Sequence, residues 1–101
     1  MKLVLVTVVK EFQNIILQLF KKADIKSLST LEIDGHKSKS PRLIASDWFA
    51  STKTGNESVM LFSFTDNHHL DILFNLITEF NSNLKTNNPV KAVVVPIEKY
   101  I

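Results

Sequence analysis

The chain has 101 residues, 12 Lys and Arg against 10 Asp and Glu, and no cysteine. That length gives one domain, 1–101, with a single core and little surplus for stability, so association would help it. A net charge of +2 without an arginine-rich helix argues against a nucleic-acid partner, the lack of cysteine excludes disulfide and thiolate chemistry, and no apolar run is long enough to insert in a membrane.

The N-terminal run "MKLVLVTVVK" is too short, and lacks the small-residue cleavage site, for a signal peptide. A cytoplasmic protein is the expectation. Residues 2–8 read as a strand in which Leu3 and Leu5 alternate with Val4, Val6 and Val8, so that both faces are apolar, as in a buried central strand. An amphipathic helix follows, with Phe12, Ile15, Ile16, Leu19 and Phe20 on one stripe and Lys21 and Lys22 in its last turn, where cations suit the helix dipole. Residues 25–34 predict a second, more polar strand suited to an edge.

From Gly35 to Asn56 no period is sustained, and so long a connection (the 36–56 loop) in a small domain is usually functional or disordered. Residues 58–64, "SVMLFSF", form a third strand with two apolar faces. Asp66 is the expected N-cap of a second helix whose stripe is Leu70, Leu73, Phe74, Ile77 and Phe80. Residues 81–89 are a turn-rich connector, 90–95 the fourth strand, and Pro96 is expected to stop the ladder.

The order βαββαβ predicts an α+β, ferredoxin-like sandwich: a four-stranded antiparallel sheet with two helices on one face. The handedness of the crossovers puts the first and third strands side by side at the centre. The other face of the sheet then carries Val, Leu, Met and Phe without a cover, which predicts a homo-oligomer packed through it.

With those elements in place, the chain resembles the PII (nitrogen regulatory protein P-II) signalling superfamily. Lys10 and Phe12 match the K-x-F that opens the family's first helix, "ADIKSLSTLEIDG" its second-strand pattern before a long loop, and "VKAVVVPIE" its last strand. The resemblance implies a homotrimer that binds an adenine nucleotide or another small anion in clefts between protomers, together with 2-oxoglutarate in many members. It also implies docking of the long loop on a target protein, a membrane transporter being one class of target. Gly35, Lys37, Lys39 and Lys91 are the effector-site candidates this implies. The connector "LKTNNPVK" departs from the family's glycine-rich phosphate loop: it has no glycine, and Pro89 has no N–H to offer. Lys39 stands where the family has a glutamine, and no tyrosine lies in the loop.

The loop itself is basic, with His36, Lys37, Lys39, Arg42 and Lys53 around Asp47, and suits an anion or an acidic partner. Arg42, Trp48, Phe49 and Lys53 are the candidate partner contacts, while Gly55-Asn56 offers a two-residue hairpin turn. Trp48 is expected to be substantially buried, against its own domain, a neighbouring protomer or a target. His68 and His69 are weak metal candidates: adjacent helical residues point about 100° apart, and Asp66 with His69 supplies only two ligands. Capping by Asp66 explains "DNHHLD" without a metal. No P-loop, His-Glu-x-x-His or Gly-x-Ser-x-Gly motif occurs, so no catalysis is expected. Two other classes fit the same element order: a CutA-like trimeric metal-tolerance protein and a small dimeric ferredoxin-like enzyme.

Overall fold

In the computed structural model, β1 (Lys2–Val9) is the hub of the sheet. The structure describes residues 1–33, 57–84 and 89–101. β1 pairs antiparallel with β3 (Ser58–Thr65) on one side and β4 (Lys91–Pro96) on the other, and β2 (Ser29–Ile33) flanks β3. The order β2-β3-β1-β4 puts β1 and β3 at the centre, where their two-faced apolar character belongs. Pro96 ends β4 opposite Lys2 as the last residue of that ladder, not the first beyond it; on an edge strand its missing N–H can face outward.

Helix α1 (Gln13–Lys22) follows β1 through a single 3-10 turn at Lys10–Phe12, and α2 (Asn67–Ser82) follows β3. Because paired residues share a face, Val4, Val6 and Val8 lie beside Val59 and Leu61. All five are buried with Ile16, Leu19 and Phe20 of α1 and Leu70, Leu73 and Ile77 of α2 in one core. Ile15, placed on the core stripe by its spacing, is 41% exposed and lies at the rim. An α-helix turns 100° per residue, and the buried set Ile16, Leu19, Phe20 already fills the arc facing the sheet.

The second strand is shorter at its start than its sequence pattern. Residues 25–28 are not strand, because Ile25 belongs to the end of α1. Its N–H donates to the Phe20 carbonyl and the Asp24 N–H to the Lys21 carbonyl, with Asp24 at φ 59°. This is a Schellman motif with Asp in the left-handed position, and Ile25 and Phe20, which it joins, are both buried in the core. The connector is then tied to β3 by the Ser63 hydroxyl, which donates to the Ser27 carbonyl. At the other end of the chain, Asn81 holds Val90 before β4: its side chain accepts from the Val90 N–H at 2.8 Å and donates to the Val90 carbonyl at 2.9 Å.

The face of the sheet away from the helices carries Leu3, Leu5, Leu31, Met60, Phe62, Phe64, Val93 and Val95. Among the described residues no helix or strand lies over it. Phe64 is 57% exposed, Leu31 46% and Val95 39%.

Candidate functional site

The C-terminal ends of β1 and β2 and the N-terminal ends of β3 and β4 meet at one end of the sheet. The segment 34–56 leaves from this end after Ile33 and returns to it before Glu57. Gly35, Lys37, Lys39, Arg42, Trp48, Phe49 and Lys53, with the Gly55-Asn56 turn, lie outside the described residues, as does the expected burial of Trp48. Lys91 is described. It opens β4, pairs with Thr7, and sits half-buried on the open face of the sheet.

On the helix side of the same end is an ionic clasp. Lys10 Nζ donates to Glu32 Oε1 at 2.7 Å and to Glu57 Oε2 at 3.1 Å. The Lys10 backbone N–H also donates to the Glu57 carbonyl at 2.9 Å. One ammonium thus joins the turn after β1, the end of β2 and the residue before β3. Its hydrogen bonds, first to Glu32 and then to Glu57, raise the Lys10 pKa, and the bond from Lys10 holds the Glu32 carboxyl below its usual range. The clasp is solvent-exposed, so it adds little to the stability of the fold. Glu32 shares a face with Val59, whereas Lys91 shares one with Thr7, so Lys10 and Lys91 lie on opposite faces of the protomer. Lys10 and Glu32 sit within the matched K-x-F and second-strand runs, but only the register shows that they meet.

The open face changes character toward this end. Thr7 is 2% exposed and Ser58 0%, in contrast to Phe64 at the far end of β3. Ser58 Oγ is buried with no hydrogen-bond partner among the described residues. Nothing in the sequence marks this serine, since strand residues of either polarity could occupy its position.

At the start of α2, Asp66 is the N-cap that the sequence indicates. Its Oδ1 accepts from the His69 N–H at 3.1 Å and lies 2.7 Å from His69 Nδ1. The backbone bond, then the side-chain bond, depress the Asp66 pKa. His69 Nε2 faces Asp24 Oδ2 at 3.9 Å, and the His68 ring stands edge-on to it. Asp66 and His69 are therefore brought together as a cap. Among the described residues no group of three His, Cys, Asp or Glu side chains is placed to hold a metal ion. A groove of 710 Å³ between α1 and the connector is lined by Asn14, Leu17, Gln18, Lys21, Ile25 and Leu28, and neither Lys91 nor the two histidines reach it. No helix among the described residues is long and apolar enough to cross a membrane.

The sequence matches no family model and no curated protein. Solved structures do match. A PII-like signalling protein from Thermus thermophilus superposes with a TM-score of 0.57 at 20% identity, over 92% of this chain and 82% of that one. CPII from Thiomonas intermedia, solved with ADP, AMP and acetate, gives a TM-score of 0.64 at 10% identity, over 93% of this chain and 82% of its own. The chain therefore has the fold of PII-like signalling proteins, the α+β ferredoxin-like sandwich its element order indicates.

Proposed function

We propose that the protein is a divergent PII-like regulator without catalysis of its own. It assembles as a homotrimer through the open sheet faces and binds a small anionic effector between protomers, near Lys91 and the sequence positions Gly35, Lys37 and Lys39. An adenine nucleotide is the first effector to test, because the Thiomonas protein of the same fold was solved with ADP and AMP. Docking of the 36–56 segment on a target protein is the output, with Arg42, Trp48, Phe49 and Lys53 as its contacts. The observation that carries this reading is an apolar face on a PII-like fold that no helix or strand among the described residues covers: a patch of this composition is a protein-interface signal, and scattered apolar residues on a wet sheet are not contiguous across four strands. The clasp from Lys10 to Glu32 and Glu57 supports it, since it fastens both ends of the proposed docking segment.

Two measurements test the reading. Sedimentation equilibrium should return three times the protomer mass of 11.5 kDa; a dimer would favour a small ferredoxin-like enzyme. A thermal-shift screen of ADP, AMP, ATP, 2-oxo acids, bicarbonate and divalent metals should then show a nucleotide or anion raising the melting temperature by mass action, with Lys91→Ala abolishing the rise. A response to metals alone, with His68 and His69 resonances moving, would favour the CutA-like alternative.

A further inference from the structure

We propose that the Ser58 hydroxyl is a hydrogen-bond donor to the oxyanion that Lys91 attracts, a phosphate or carboxylate group; the inference rests on the effector reading above. Lys91 pairs with Thr7, and Ser58 with Val9, two residues further along β1. All four residues belong to one face of the sheet, so Lys91 and Ser58 are two strand spacings apart laterally and two residues apart lengthwise. With ordinary strand dimensions their Cα atoms are about 12 Å apart. A lysine's four-carbon stem spans much of that separation, and an oxyanion fills the remainder, accepting from the ammonium on one side and from Ser58 Oγ on the other.

The second observation is the state of that hydroxyl. Ser58 is 0% exposed and its Oγ has no partner among the described residues. A buried polar group in that condition is rare and is a net loss to the free protein. Reaching it requires neighbouring side chains to part. The bond it then makes replaces none among the described residues, so what it gains in the bound state is offset only by the parting of those side chains. Ser63, buried on the same strand, is spent on the Ser27 carbonyl and lies on the other face. Ser58 is thus the buried hydroxyl of β3 that has no partner among the described residues.

The test compares the full-length wild type with Ser58→Ala and Lys91→Ala by calorimetric titration and by melting temperature. Inorganic phosphate and ADP form one arm, acetate and 2-oxoglutarate the other, and the responding arm identifies the oxyanion. The expected result is that Ser58→Ala melts at or above the wild-type temperature without ligand, yet binds the responding ligand on the order of tenfold more weakly. Undiminished binding by Ser58→Ala, where Lys91→Ala has lost it, overturns the role of Ser58 alone. A large fall in the unliganded melting temperature of Ser58→Ala also overturns it, because the hydroxyl would then have a structural partner. A wild type that binds neither arm overturns the effector reading itself, and this inference with it.

Discussion

Phe64→Glu isolates the proposed sheet-face interface from the rest of the fold. Phe64 sits at the far end of β3, 57% exposed and across from Leu3, and it is not part of the buried core. A phenylalanine offers roughly 200 Å² of surface. At 57% exposure, about 110 Å² is left for a neighbour to cover. At about 25 cal/mol per Å², covering it is worth roughly 3 kcal/mol per protomer. Removing that term weakens association by about two orders of magnitude for each protomer, and a carboxylate placed in the interface adds its own desolvation penalty. Sedimentation equilibrium across a dilution series should show the wild type as a trimer and Phe64→Glu as a monomer with an unchanged far-UV circular dichroism spectrum. A trimeric Phe64→Glu at micromolar concentration would refute the reasoning, because the sheet face would then not be the interface. So would a wild type that is monomeric at all concentrations.

Asn81→Ala should destabilise by about 1–3 kcal/mol in urea denaturation, because it leaves the N–H and carbonyl of Val90, a residue 4% exposed, without their partners. Asn81→Asp, which keeps the acceptor and removes the donor, should recover part of that loss. Asp66→Ala should lower the melting temperature at pH 7, since the cap on the His69 N–H is lost. The folded-state pKa of Asp66 is depressed, so its contribution is present above the ordinary aspartate range and is lost as pH falls through the folded value. The gap between wild type and variant should therefore close in acid, and a gap that persists unchanged to pH 2 would contradict the assignment. Asp24→Gly should raise stability by about 0.5–1 kcal/mol, because Asp24 holds φ 59° in the position where a helix end favours glycine; Asp24→Val should lower it.

The parts of the fold that the sequence shows clearly are those where burial acts on consecutive residues. β1 and β3 are apolar on both faces because one face packs on helices and the other forms the open surface, and that pattern alone places them at the centre. Asp66 is legible for a different reason: a cap is a local interaction between residues three apart. Where the pattern misleads, a nonlocal or backbone interaction decides. Ile25 opens a run that reads as a polar edge strand, yet its N–H is taken by the Phe20 carbonyl at the end of α1 and its side chain is buried in the core. Ile15 obeys the helical period, but the arc that faces the sheet is already filled by three larger or better-placed side chains.

The site is less legible, because charge has no period. Lys10 lies 22 residues from Glu32 and 47 from Glu57 along the chain, and what joins them is the register of three strands. The lysines of the 36–56 segment stand out because they are clustered in sequence, whereas the acids that neutralise Lys10 stand at its two ends. A single ammonium is shared between the residues that flank the segment, Glu32 before it and Glu57 after it. The pairing of Ile33 with Ser58 already fixes the separation of the ends of this 23-residue connection, and the clasp adds a contact beside it; in the proposed docking, freedom removed at the ends is freedom a partner need not remove on binding. The clasp is exposed and screened by salt. Target affinity in Lys10→Met should therefore fall mainly at low ionic strength, while the melting temperature changes little.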